Sequence, residues 1–121
     1  MNIIGHGIDL VEISKISSIL DKYGSKFTER CFSKDEILYA DNSSGVTRAS
    51  RYAARFAAKE AVSKCLGTGI IKNMKLSDCE VVRENGAPII RLKGEFLNIS
   101  DKKGILGWHV SLSHSKSHAI A

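Results

Sequence analysis

Apolar residues recur along the chain with several spacings, and each change of spacing marks a change of element. Ile3 to Leu10 is largely apolar and interrupted by Gly5 and Gly7, which predicts a short buried strand. Ile13, Ile16, Leu20 and Tyr23 then recur at helical spacing with lysines and serines between them, and Gly24 is placed to end that helix. In "SKDEILYA" (33–40), Ser33 and Glu36 have capping-box spacing: each side chain can satisfy a free amide beside the other. A second helix is therefore expected to start near Lys34. Residues 42–46 read as a loop, after which Thr47 or a neighbour opens a long helix ending around Leu66, with Gly67 as its left-handed stop.

From Asp78 the period shortens. "CEVVRENGAPIIRL" (79–92) sets apolar runs on both sides of Asn85-Gly86, the strongest short-range hairpin signal, so two antiparallel strands are expected. A short amphipathic segment near Phe96 to Ile99 precedes Gly104. The run "GWHVSLSHS" (107–115) then alternates, predicting a strand with Trp108, Val110 and Leu112 on one face and His109, Ser111 and Ser113 on the other. Helices first and strands mostly later imply an α+β domain, with a long central helix and shorter helices on a small antiparallel sheet. No repeat or linker interrupts residues 1–121, so a single domain is expected.

Composition sharpens this picture only a little. The 121 residues, 43% hydrophobic and 26% charged with one proline, can bury an adequate core without disulfides. No basic region precedes a long apolar run at the amino terminus and no segment has the length of a membrane span, so a cytoplasmic protein is expected. Cys31, Cys65 and Cys79 are too widely spaced for a zinc or redox pair and are expected to be buried free thiols. The net charge of +5 implies an acidic partner without choosing among nucleic acid, an anionic protein and a phosphate-bearing small molecule.

The charges on the long helix are more informative. Ala57, Ala58, Ala61, Val62 and Cys65 fall on one broad stripe that must be packed. Glu60 and Lys64 lie nearly opposite. Arg48, Arg51, Arg55 and Lys59 form a third stripe, on which like charges repel by roughly 0.2 to 0.5 kcal/mol per pair. Either this is a solvated face with long side chains lying past the alanines, or it is a polyphosphate site with Glu60 at its border. Glu60 has the spacing of an ordinary ion pair with Lys64, but it could also be one of two metal ligands. The obvious second is Asp9, a charge at the end of an apolar strand where burial requires pairing or coordination. Magnesium commonly takes one or two carboxylates and fills its remaining positions with waters and substrate phosphates. Glu12 could join the cluster or favour the start of the first helix through its dipole, the slightly preferred role.

The His and Ser face of "HVSLSH" (109–114) offers imidazole and hydroxyl donors, or is simply an exposed strand face. No Gly-x-Ser-x-Gly elbow supports a serine hydrolase, and "GHG" (5–7) lacks the third glycine and the following helix of a dinucleotide loop. Those glycines are expected to permit tight backbone packing.

Taken together, "GIDLVEI" (7–13), "RFAAKEAVSKCLGTGI" (55–70), "NGAP" (85–88) and "HVSLSH" (109–114) closely resemble the holo-acyl-carrier-protein synthases, small bacterial 4′-phosphopantetheinyl transferases. The resemblance is ordered and runs through nearly the whole chain. It implies transfer of the phosphopantetheine arm of coenzyme A to a serine of apo acyl carrier protein, for fatty acid biosynthesis, with release of adenosine 3′,5′-bisphosphate and a requirement for magnesium. It makes Asp9 and Glu60 the metal ligands and, with Lys64, the catalytic set. Arg55 and Lys64 match positions near the phosphates; Gly67, Asn85, Gly86 and Pro88 match the walls around the nucleotide; His109, Ser111 and His114 match the strand lining its site. Lys59 is left either to stabilise the leaving group or to orient Glu60. The family implies a homotrimer with active sites between subunits and an acidic carrier protein docked on Lys15, Ile16, Ile19 and Lys22 of the first helix, unless Ile16 belongs to the core. Its members usually continue several residues past the position of Ala121, so the last strand is expected to be weakly anchored. The competing readings are a basic nucleic-acid-binding module, with steep salt dependence but few aromatics for base stacking, and a magnesium-dependent phosphohydrolase.

Overall fold

Ala49, Ala53, Ala54, Ala57, Ala58 and Ala61 are all buried in one helix, and their placement organises the fold. Alanine has the best helix propensity and the smallest side chain that still packs, so neighbouring elements can approach the helix closely on several sides. The computed structural model describes residues 2–121. In it this helix, α4 (Gly45–Cys65), is surrounded by β1 (Leu10–Glu12), α1 (Ile13–Tyr23), α2 (Ser25–Cys31), α3 (Lys34–Asp41), β2 (Cys79–Glu84), β3 (Ala87–Leu92), α5 (Gly94–Lys102), β4 (Ser113–His114) and β5 (His118–Ile120). The class is α+β as expected, but the strands form two small antiparallel sheets: β1-β5-β4 and the hairpin β2-β3.

Two apolar clusters share α4. Ile13, Ile16 and Leu20 of α1 meet Phe32, Ala40, Tyr52 and Ala119 around its first half, where the Phe32 and Tyr52 rings stand edge to face at 4.8 Å. Val62, Leu66, Met74, Cys79 and Phe96 close the other end beneath the hairpin and α5. The Ser33–Glu36 capping box forms in both directions, and Gly67 lies in the left-handed region (φ 80°) just past α4. Asn85 (φ 53°) and Gly86 (φ 84°) make the turn of the hairpin, which runs in register from Cys79↔Leu92 to Glu84↔Ala87.

Several expectations are corrected. Gly24 does end α1, yet its left-handed φ of 53° redirects the chain straight into α2, which puts Phe27, Thr28 and Cys31 against the core. The long helix begins at Gly45, so Gly45 and Val46 belong to its first turn and not to a loop. The stretch from Ile3 to Leu10 is not a buried strand: pairing starts at Leu10, and Ile3, Ile4, Ile8 and Leu10 are exposed. The glycines explain the difference. A Cβ on Gly7 would stand 1.9 Å from the Ala61 carbonyl oxygen, and one on Gly5 2.7 Å from that of Cys65. The backbone itself lies on α4, and Ile4, His6 and Ile8 are left exposed.

The segment 107–113 alternates in exposure as predicted, Trp108, Val110 and Leu112 half-buried and His109, Ser111 and Ser113 exposed, but only Ser113 and His114 pair with another strand. A ladder needs a neighbouring edge, and among the described residues none is offered to 105–112. The last strand is better held than expected: β5 is the middle strand of its sheet, and Ala121 and Asp9 exchange backbone hydrogen bonds of 3.1 and 3.0 Å.

Candidate active site

Asp9 is set against α4 because the glycine-containing segment before it rests on that helix and the exchange with Ala121 fixes its backbone. Two turns of α4 end beneath it, carrying Glu60 and Lys64. Lys64 Nζ donates to Asp9 Oδ1 at 3.0 Å and to the Ile8 carbonyl oxygen at 3.1 Å. The i, i+4 pair with Glu60 open in the sequence does not form, because Lys64 is committed across the chain to Asp9.

Glu60 is half-buried, and its carboxylate takes part in no hydrogen bond or ion pair among the described residues. Burial, and then the charge of Asp9, raise its pKa above the ordinary carboxylate value, with Lys64 opposing. The two carboxylates thus act on each other through their charges. One lysine against two carboxylates leaves a surplus negative charge. A divalent cation would relieve it, and the oxygen donors suit magnesium. No group of three His, Cys, Asp or Glu side chains fit for a metal occurs among the described residues, so any such cation would have to rest on these two. Glu12 is not a third; it flanks α1 exposed, 3.8 Å from Lys15.

The basic stripe of α4 resolves differently from either sequence reading. Lys59 is fully buried and pairs with Glu36 at 2.7 Å, donating also to the carbonyls of Leu76 (3.0 Å) and Cys79. Glu36 in turn accepts from the amides of Val81 and Ser33. Lys59 therefore neither faces a leaving group nor orients Glu60; it ties α3 and the start of the hairpin to α4. Arg48 is neutralised by Asp41 at 2.8 Å. Glu36 was missed as a partner because the sequence displayed only its capping role.

The remaining predicted residues fall into separate places within one chain. Arg55, 3% exposed, and His114 line one open pocket of about 500 Å³. Arg55 is nine residues before Lys64, about 13 Å along the helix axis. Gly67 is exposed beyond the end of α4, Asn85 and Gly86 form the exposed hairpin tip, and Pro88 is the second residue of β3, opposite Arg83. His109 and Ser111 are exposed on the unpaired segment and do not line this pocket. On the first helix Lys15 and Lys22 are exposed and Ile19 is half-buried, but Ile16 is 2% exposed and belongs to the core. No helix is long and apolar enough to cross a membrane.

The chain is 46% identical over 118 residues to the holo-[acyl-carrier-protein] synthase of Syntrophus aciditrophicus, covering 97% of this chain and 91% of that one. It is 42% identical over 116 residues to that of Ruminiclostridium cellulolyticum, covering 95% and 86%. The crystal structure of the Helicobacter pylori holo-[acyl-carrier-protein] synthase in complex with coenzyme A superposes with a TM-score of 0.81 at 33% identity, over 95% of this chain and 94% of that one. A family profile matches residues 5–121, and the chain belongs to the 4′-phosphopantetheinyl transferase superfamily.

Proposed function

We infer that the chain transfers the 4′-phosphopantetheine group of coenzyme A to a serine of apo acyl carrier protein, releasing adenosine 3′,5′-bisphosphate, the activity for which its relatives are named. The observation that carries the reading is the ion pair of Lys64 with Asp9, far apart in sequence, beside Glu60 one turn earlier on α4, whose proton affinity burial and the Asp9 charge raise. Asp9 and Glu60 would hold magnesium, which when bound supplies the positive charge that offsets charge gathering on the phosphoryl oxygens and the departing bisphosphate. Lys64 fixes Asp9 and adds its own charge beside that position. The proton of the attacking serine hydroxyl would pass to a water at this site or to whichever of Asp9 and Glu60 can exchange off the metal, because a carboxylate committed to a cation is a poorer base.

Lys15, Ile19 and Lys22 offer an acidic carrier protein two charges around a half-buried apolar centre. Gly67, Asn85, Gly86, Pro88, His109 and Ser111 join the site across the subunits of a homotrimer, which accounts for their dispersal in one chain. A cytoplasmic place in fatty acid biosynthesis follows from the same reading. Nucleic-acid binding is disfavoured because Asp41 and Glu36 neutralise two of the four charges on the basic stripe.

The test mixes the protein with coenzyme A, magnesium and apo acyl carrier protein and weighs the carrier. A gain of one phosphopantetheine group is expected, and its absence with folded protein rejects the reading. Asp9→Ala and Glu60→Ala should each lower kcat/KM by roughly a hundredfold or more, the scale of several kcal/mol of transition-state charge stabilisation. Near-normal turnover in either variant removes that residue from the site.

A further inference from the structure

The buried pair of Lys59 and Glu36 is more elaborate than stability requires. Both side chains are wholly buried, and removing two charges from water costs about as much as their attraction returns, so apolar side chains of similar volume would hold the core as well. What the pair adds is direction. All three ammonium protons have an acceptor: Glu36 Oε1 at 2.7 Å, the Leu76 carbonyl at 3.0 Å and the Cys79 carbonyl. The Glu36 carboxylate also accepts from the amides of Ser33 at 2.9 Å and Val81 at 3.0 Å. Backbone groups two residues apart on a strand turn to the same edge, so the Cys79 carbonyl and the Val81 amide both belong to the edge of β2 that faces away from β3. Glu36 of α3 and Lys59 of α4 occupy that edge as a neighbouring strand would.

One layer outward, the same three elements line the open pocket of about 500 Å³. Tyr39 follows Glu36 by three residues on α3, Arg55 precedes Lys59 by four on α4, and Arg83 follows Val81 by two on β2, spacings that keep each residue on the face of its inner neighbour. Here three arginines cluster on one ring: the guanidiniums of Arg55, Arg51 and Arg83 lie 4.2, 4.3 and 5.9 Å from the Tyr39 ring centre. Like charges so placed repel, so the spacing of these walls depends on the sealed layer beneath them. Beyond Arg83 the strand runs into the Asn85–Gly86 turn and Pro88, which the transferase reading brings into the site. The sealed layer therefore governs two things at once, the width of the pocket and the reach of the hairpin. It touches neither Asp9 nor Glu60 through any hydrogen bond or ion pair among the described residues.

We propose that Lys59 and Glu36 are positioning residues for coenzyme A: by holding the outer edge of β2 against α3 and α4 they set the affinity for this substrate, and not the affinity for the carrier protein or the rate of the chemical step. The identity of the substrate rests on the transferase reading; the coupling of the pair to the pocket and the hairpin does not.

Steady-state kinetics with coenzyme A and apo acyl carrier protein varied in turn, together with calorimetry on coenzyme A alone, test it in the full chain. Glu36→Gln, which keeps the shape and one acceptor oxygen but loses the charge, and Lys59→Met should each raise both KM and Kd for coenzyme A about fivefold or more, the scale of one hydrogen-bonding group lost from a preset geometry. Over the same variants kcat and the KM for the carrier protein should stay within about twofold. A merely structural role would act otherwise: it would lower the apparent kcat through the folded fraction and leave both KM values unmoved. Thermal melting reports that fraction, and where Lys59→Met unfolds, the milder Glu36→Gln carries the test. A KM and Kd for coenzyme A unchanged in folded Glu36→Gln, or the KM values of both substrates rising together, overturns the proposal. Coenzyme A affinity that falls in the variants while the intact protein transfers nothing to the carrier would refute the proposed reaction and leave the positioning role standing; intact protein that binds no coenzyme A would refute both.

Discussion

At the scale of single residues, partners decide what a charge does. Lys59 and Glu60 are adjacent, yet one is sealed in a pair with Glu36 and the other feels the charge of a second carboxylate and has no ion-pair partner among the described residues. Removing one member of a buried, hydrogen-bonded pair strands the other, so Lys59→Met should lower unfolding free energy by about 3 to 5 kcal/mol in urea titration. A change under about 1 kcal/mol would mean that Glu36 is satisfied without the lysine. Cys79 makes a second residue-level prediction. Burial pushes its thiol up to about 12 from the ordinary 9.0, the nearby Lys59 only partly opposing. Between those values the unfolded chain has released a proton that the folded chain keeps, so stability should fall as pH rises through that window. Cys79→Ala should flatten that fall. The types and periodic placement of these residues were legible in the sequence. Their partners were not, because Glu36 already had a complete local explanation as the acidic half of a capping box.

At the scale of elements, the helices α1, α3 and α4 and the hairpin could be read because their signals are local: an apolar period, a cap, an Asn-Gly turn. The amino-terminal segment was misread for the opposite reason. Its apolar residues suggested burial, whereas its glycines press the backbone against Ala61 and Cys65 and leave the isoleucines outside. Gly7→Ala therefore should do more than disturb a turn. A Cβ 1.9 Å from the Ala61 carbonyl oxygen forces the segment off α4, which should cost about 1 to 3 kcal/mol of stability and displace Asp9 from Glu60. Stability in urea titration and transfer activity should fall together; wild-type values in both would show that the contact with α4 is dispensable. The arginine cluster belongs to this scale too, since Tyr39, Arg51 and Arg83 come from α3, α4 and β2.

At the scale of the whole molecule, one chain leaves surfaces that ask for company. Ile3, Ile4, Ile8 and the fully exposed Leu106 face solvent, and the alternating segment before β4 has no neighbouring strand. Large apolar exposure on this scale marks association surfaces. Sedimentation equilibrium should give a species of three chains, and Leu106→Lys should shift it toward one while lowering transfer. A fully active single chain would place every site residue within one subunit and remove the interfacial arrangement from the proposal.

What the sequence by itself determined was whatever depends on neighbours a few positions away: the helical periods, the Ser33–Glu36 cap and the Asn85–Gly86 turn. Only the tertiary structure decided which cations are spent on carboxylates, that Arg83 joins Arg51 and Arg55 around Tyr39, and that the first isoleucines face outward. The physical reason is range. Backbone propensity and capping act within a turn or two of chain, whereas charge pairing, close backbone contact and desolvation act between residues that folding alone brings together.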